Sequence, residues 1–508
     1  MKRSISVLIS SLVIFSMFIS FSPISGQTAT YSISGRVTDG SGNGVEGVNI
    51  FAERVSDFQV FLPLILKSYG ESQSSLASEI RYYYPSAVTD ANGYYSIDFL
   101  SGTYRLRAEM EGVDFSPSAR EINSSSTESQ DFEVLILEPV ITDNTEVLTD
   151  ESNQYLDPTQ SDGTIFTFSQ TTTELDALDI GDIMVSGVSE NAPDGYLRKV
   201  KEIYYSGGSV IITTEPATLE EAIQDGSVFI QEKLSPDQVT SMSALTGVTM
   251  LPSSERAPLT FYFQIEDVVL YDDDGDLSTK FDQIRANGFI EFDMEFIFYL
   301  SMQNFQVRRF SLVNENAIRN SLEIVSEEWL DSQKAEYILS TQVFSPITLM
   351  AGPVPIVFVP KLDLVVGVDG SVGWYMSTEV SEELSMQAGI QYYYSSGWST
   401  IAGFDYAFKF TPPSLSQFEM SLKGYFGPRF NLYLYGVAGP YVNITPYLEI
   451  KVEPLISPWW TLYGGIDVPV GFRVIDQLAK VLDLDDYEVV AIGVKQIIAQ
   501  AETIPIYP

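Results

Sequence analysis

The sequence predicts a mainly β protein built from several units, and three observations predict it. Apolar residues recur at every second position over long stretches. Gly, Asn, Asp and Pro punctuate those stretches at turn spacing. Several of the alternating runs exceed the five or six residues of an ordinary strand. Ile290, Phe292, Met294, Phe296, Phe298 and Leu300 share one face, and Glu291, Asp293 and Glu295 lie opposite. One apolar and one wet face mark an antiparallel sheet packed on a core.

Composition excludes whole classes of chemistry. The 508 residues carry 28 Lys plus Arg against 68 Asp plus Glu, for a net charge of −40. That length predicts two to four domains. There is no cysteine and no histidine. Disulfides, thiolate nucleophiles and zinc–sulfur sites are excluded, as are the Ser-His-Asp triad and the HExxH zinc site. A pI near 4.1 argues against a nucleic-acid partner, whose phosphates must be neutralised by cations, and against docking on anionic lipid.

The chain opens on an address. Lys2 and Arg3 precede an apolar run from Val7 to Phe21, and Pro23 and Ser25-Gly26 end it. This is the layout of a secretory signal peptide over 1–26, cleaved near Gln27. The run is shorter than the roughly 20 apolar residues that span a bilayer, so no transmembrane span is expected in the mature chain.

Residues 28–138 predict a small β-sandwich. Ile33 to Thr38 alternates, Asp39 to Gly44 turns, and Val45, Val48 and Ile50 begin the next strand. Thr89-Asp90-Ala91-Asn92-Gly93-Tyr94 places a tight turn before a strand, because Asn and Gly tolerate positive φ. Leu100-Ser101-Gly102-Thr103-Tyr104-Arg105-Leu106-Arg107-Ala108 repeats the arrangement. These residues resemble the carboxypeptidase regulatory-like domain over about 80 positions. The resemblance implies a seven-stranded, transthyretin-like sandwich, grouped with carbohydrate-binding-like folds, that accompanies a larger domain in secreted bacterial proteins. It implies no catalytic residue. An insertion is expected at about 55–85. Its run Phe58-Gln59-Val60-Phe61-Leu62-Pro63-Leu64-Ile65-Leu66-Lys67 reads as an ordinary strand or as an exposed apolar contact for an envelope or protein partner.

Residues 139–163 are acidic and turn-rich and predict a linker. A small β-rich unit is expected over 164–250. Thr164 to Phe168 alternates, and Leu197–Tyr205 and Ser209–Thr214 predict a hairpin around Ser206-Gly207-Gly208. Thr218 and Glu221 have capping-box spacing and predict a short helix that ends at Asp225-Gly226. The strings Leu178-Asp179-Ile180-Gly181-Asp182 and Gly195-Tyr196-Leu197-Arg198-Lys199-Val200 resemble a unit in uncharacterised exported proteins, where it introduces a long β-rich domain.

The large antiparallel domain is expected over 255–508. Phe404, Tyr406, Phe408 and Phe410 line one strand, Phe418, Met420 and Leu422 another, and Val442, Ile444, Leu448, Ile450 and Val452 a third. Helical spacing at Ile318, Leu322, Val325 and Trp329, and at Ile475, Leu478 and Leu482, predicts two helices. A membrane β-barrel shares the alternation, but the acidic outward faces and the ending Ile506-Tyr507-Pro508 argue against it.

Three constellations can carry chemistry. Asp272, Asp274 and Asp276 have the D-x-D-x-D spacing of a calcium loop, and Asp282 would close it. Leu277 stands where an EF-hand loop needs glycine, and an Asp-Gly turn with solvated charges explains the same residues. Without histidine, hydrolysis would fall to a carboxylate pair, as in glycosidases, yet Glu291, Asp293 and Glu295 read as a solvated face. Trp398, Trp459, Trp460 and Tyr463 are the aromatic candidates for stacking on a ligand, with core packing as the other reading. The expectation is an exported, cell-surface or secreted binding or structural protein of a bacterium, with the sandwich as an accessory spacer and catalysis not expected. The alternatives are a carbohydrate-binding protein using exposed aromatics and a carboxylate-based glycan hydrolase.

Overall fold

The structure is a computed structural model and describes residues 30–55, 86–159, 163–251, 259–272, 274–280, 283–326, 330–372, 376–410, 420–453, 457–474 and 487–500. The expected signal peptide, the insertion run Phe58–Lys67 and the expected helix at Ile475, Leu478 and Leu482 lie outside these residues. The fold is mainly β throughout.

The N-terminal unit consists of β1 (Thr30–Thr38), β2 (Asn49–Arg54), β3 (Ser86–Val88), β4 (Tyr94–Leu100), β5 (Thr103–Glu109), β6 (Phe115–Ser116), β7 (Arg120–Asn123) and β8 (Phe132–Val134). They form two four-stranded sheets, ordered β4-β1-β8-β6 and β3-β2-β5-β7. The described strands therefore number eight where the resemblance implies seven. β6 contributes only two residues, bound to β8. Alternation places Ile33, Val37, Ile50, Leu106 and Ile122 between the sheets. Gly93 is forced: its φ is +78°, and a Cβ there would lie 2.1 Å from the Val37 carbonyl oxygen.

The next stretch holds β9 (Val140–Ile141), β10 (Thr145–Val147), α1 (Asp150–Asn153), β11 (Ile165–Phe168), α2 (Thr173–Ala177), β12 (Ile183–Ser186), β13 (Tyr196–Ser206), β14 (Ser209–Pro216), α3 (Leu219–Ala222) and β15 (Ile223–Leu234). β10-β12-β13-β14-β11 form one sheet. The segment expected as a linker is thus built into this unit, because Leu148 and Leu156 are buried in its core. The hairpin turns at Gly207 and Gly208, both at positive φ. Both hydrogen bonds of the Thr218–Glu221 capping box are present. α3 ends at Ala222 rather than at Asp225-Gly226, since β15 starts at once and pairs with the large domain over Gly226–Leu234. The strands β16 (Val239–Ala244) and β17 (Val248–Met250) pair there too, so strand pairing puts the boundary at 222–223 rather than at 250–255.

The large domain continues with β18 (Thr260–Asp272), β19 (Gln283–Met302), β20 (Val307–Ser326), β21 (Leu330–Phe344), β22 (Ile347–Ala351), β23 (Val354–Val372), β24 (Met376–Tyr393), β25 (Gly397–Phe410), β26 (Met420–Leu434), β27 (Ala438–Asn443), β28 (Thr445–Val452), β29 (Trp460–Val474) and β30 (Tyr487–Gln500). An eight-stranded sheet runs β17-β18-β19-β20-β24-β25, with β15 beside β19 and β9 beside β15. A nine-stranded sheet runs β16-β21-β23-β26-β27-β29-β28, with β22 on β23 and β30 on β29. Their inner faces meet in an aromatic seam: Phe296 lies 5.1 Å from Phe430, Phe298 4.6 Å from Phe358, and Phe261 5.9 Å from Phe344. The helix expected from Ile318 is strand β20, because its backbone is claimed on both sides, by β19 and by β24. The run Val442–Val452 is two strands, broken at Ile444.

The N-terminal sandwich is fastened to the first large sheet rather than held away from it. Ile297, Tyr299, Val313 and Ile401, on the outer face of that sheet, belong to the sandwich's own hydrophobic cluster. The Tyr299 hydroxyl donates to the Leu135 carbonyl at 2.8 Å, and the Ser311 hydroxyl to the Gly112 carbonyl at 2.9 Å. Phe296→Ala empties the seam between the large sheets, and should lower the stability of the folded chain by about 3–5 kcal/mol, read by chemical denaturation.

Candidate binding groove

Beside the docked sandwich, the outer face of the first large sheet is hollowed into a groove of about 580 Å³. Its position follows from the strand period. Glu295 comes two residues before Ile297, Glu315 two after Val313, and Gly403 two after Ile401, so the residues that continue past the docking patch face the same way. Register sets Glu295 directly across from Glu315, and Glu315 across from Gln387. Asp293, Ala317, Ser385 and Leu259 complete the floor and rim, with Lys233 of β15.

The sandwich braces two lining residues, Lys233 and Glu295, through its Glu46 turn. In its Val45–Val48 turn, the Glu46 amide donates to Gln231 Oε1 at 3.1 Å, and Gln231 Nε2 donates to the Glu46 carbonyl at 3.1 Å and to Glu295 Oε1 at 2.6 Å. Lys233 Nζ bridges Glu46, at 2.7 Å, and Glu295, at 3.5 Å. Gln387 Nε2 donates to Glu315 Oε1 at 2.8 Å, and the Thr260 hydroxyl to Asp293 Oδ1 at 2.6 Å.

The Glu295 side chain is only 14% exposed, so it is no member of a solvated face. Burial raises its pKa above the ordinary carboxylate value, and the charges of Glu315 and Glu46 push the same way, against the Gln231 hydrogen bond and Lys233. Lys233 is raised, first by its hydrogen bond to Glu46. Like charges directly across a ladder oppose folding, so Glu295 and Glu315 break a local rule at this place.

The sequence-derived candidates fall elsewhere. Asp272 Oδ1 accepts from the Gly275 amide at 2.8 Å and its Oδ2 from Gln283 Nε2 at 2.8 Å. Asp274 Oδ1 accepts from the Asp276 amide at 2.7 Å, and Asp276 Oδ1 from the Ser278 amide at 3.0 Å and hydroxyl at 2.7 Å. The Ser278 hydrogen bonds hold the Asp276 pKa down. Among the described residues, no three acidic side chains are grouped to hold a metal. Asp282 lies outside the described residues.

The aromatics separate. Trp398 is 47% exposed and stands by the Tyr393–Gly397 hairpin, its ring 5.1 Å from Tyr392 and 5.5 Å from Phe310. Trp459 and Trp460 are half-buried and pack against the core between the large sheets. They sit at the opposite end of the domain, where Trp460 pairs through Val452 to Met420. Tyr463 is half-buried on the outer face of β29, with Lys495 Nζ 4.2 Å from its ring centre. The four rings form no common platform. Glu46, Gln231, Lys233, Glu315 and Gln387 escape sequence reasoning. Alternation marks only the Glu295 face, and nothing local shows the Glu46 turn arriving there.

No family model, no curated protein and no solved structure matches this chain. Its chemistry must therefore be argued from the groove itself.

A raised Glu295 pKa means that the folded protein holds this proton more tightly than the unfolded chain does. Ionised Glu295 thus opposes folding at neutral pH, and the opposition fades as pH falls through the raised pKa toward the ordinary value. Glu295→Gln should raise the thermal midpoint at pH 7, and the gain should shrink by pH 4. Because Asp272, Asp274 and Asp276 already accept hydrogen bonds from neighbouring amides and side chains, millimolar calcium and a chelator should give thermal midpoints within about one degree of each other, as expected where no ligand stabilises the native state.

Proposed function

We propose that the chain is an exported, cell-surface or secreted binding protein without catalytic activity, and that its groove receives a neutral, hydroxyl-rich ligand, a glycan segment. The observation that carries this reading is the groove's alternation of acceptors and donors: Glu295, Glu315 and Asp293 beside Gln387, Ser385 and Lys233. Carboxylates and carboxamides at cross-strand spacing suit the hydroxyl pairs of a sugar, and a net negative rim disfavours anionic ligands. The N-terminal sandwich, which resembles a carboxypeptidase regulatory-like domain, acts in this reading as a brace that holds Lys233 in place through Glu46. The −40 charge keeps the exported chain soluble and apart from like surfaces.

Two observations favour other readings. Glu295 and Glu315 are a carboxyl pair with one raised pKa, the arrangement a glycosidase uses. Against catalysis, Gln231 and Lys233 already hold Glu295. Trp398, exposed at its hairpin, favours sugar stacking away from the groove.

A glycan array on the mature chain, with and without calcium, tests the proposal. Retention on a neutral glycan should fall about tenfold in Gln387→Ala, the loss of about 1.4 kcal/mol expected for one hydrogen bond to a charged network, and persist in Trp398→Ala. Retention that vanishes only in Trp398→Ala moves the site to the hairpin. Product release that stops in Glu295→Gln makes the protein a hydrolase. Silence on every glycan leaves a structural role.

A further inference from the structure

Gly403 lines the groove from the middle of β25, where the fold supplies no reason for a glycine. The ladder between β24 and β25 keeps one register from Val380–Phe410 to Tyr393–Gly397, so no bulge falls at this residue. Its φ lies outside the left-handed region that favours glycine. A Cβ at Gly403 would meet no atom of the described residues within 4 Å. Gly389, two residues after Gln387 on β24, is the opposite case. A Cβ there would lie 2.2 Å from the Leu312 carbonyl oxygen, so backbone packing demands the glycine.

A glycine inside a strand loses the most chain entropy on folding and offers no side chain to pack. It is explained by a bulge or sharp bend, by the close approach of another backbone, or by the close approach of a ligand. Continuous register argues against the first at Gly403, and the open space above it against the second.

Register also places this glycine in the groove's polar row. Lys233 pairs with Glu295, Glu295 with Glu315, Glu315 with Gln387, and Gln387 with Gly403. With about 4.8 Å between strands, the row crosses the sheet and ends on β25, the last strand in that sheet's order. Each earlier member presents an ammonium, a carboxylate or a carboxamide. Gly403 presents only its peptide, so the floor there is bare backbone.

We propose that Gly403 is a specificity-determining residue of the groove: its bare peptide is where the ligand lies closest to the sheet, with the ligand's polar edge turned to Gln387 and Glu315. This role rests on the reading of the groove as a site for a neutral glycan, and it names the residue that keeps the β25 end open to one.

A substitution series on the mature chain tests it through two readouts. Gly403→Ala and Gly403→Val should leave the thermal midpoint unchanged or raise it by about a degree, because each restricts the unfolded chain and meets no neighbour when folded. On the same glycan array, retention should fall with side-chain size, by about twofold in Gly403→Ala and about tenfold in Gly403→Val, as overfilling a fitted contact costs. A loss graded by size at a constant midpoint cannot come from a purely structural role. A midpoint lowered by Gly403→Ala would mean that the glycine serves the fold, and would overturn the proposal. Full retention of Gly403→Val, in an array where Gln387→Ala loses the glycan, would leave the groove as the site and overturn the role of Gly403 alone. Retention lost only in Trp398→Ala, or no glycan held by the unaltered chain, would overturn the groove reading and this role with it.

Discussion

Burial of one strand on both faces organises this protein. β19 sends Phe296 and Phe298 into the seam against Phe430 and Phe358, and Ile297 and Tyr299 outward beneath the N-terminal sandwich. A strand with two dry faces cannot slip by one residue without exchanging them. Its register therefore fixes three layers at once: the second large sheet, the first, and the sandwich. β15, arriving from the small unit, pairs with the same strand and ties that unit in as well.

The groove is a consequence of where this double burial stops. The outer face of β19 and β20 is apolar under the sandwich, at Ile297 and Val313, and becomes polar one step further along each strand, at Glu295 and Glu315. The sandwich edge half-covers the first polar position, and the Glu46 turn brings a carboxylate and a backbone pair to Gln231 and Lys233. Glu295 is thereby desolvated without losing its partners, which is the cause of its raised pKa. A groove formed this way depends on the docking of two units.

Much of the architecture is legible from residues in order. The alternation from Ile290 to Leu300 gives β19 and its faces, the Gly207-Gly208 pair gives the hairpin, and Thr218 with Glu221 gives the cap of α3. Local patterns fail where long-range pairing decides. Ile318, Leu322 and Val325 satisfy helical spacing, yet the ladders to β19 and β24 hold them extended. The acidic stretch before Ile165 reads as a linker, yet Leu148 and Leu156 anchor it in a core. Trp398, Trp459 and Trp460 read alike as stacking candidates or core residues, and the strand order separates them, with Trp459 and Trp460 packed on the core at the far end of the domain.

By itself the sequence determined the class of the fold, the faces of its strands and the chemistries it lacks, because side-chain period and composition are local properties. Only the tertiary structure decided which faces meet. Glu46 and Glu295 are separated by hundreds of residues, and neither carries a mark of the other; their approach is set by the packing of Ile297, Tyr299, Val313 and Ile401 under the sandwich. Desolvation of the Glu295 carboxylate depends on that meeting of surfaces.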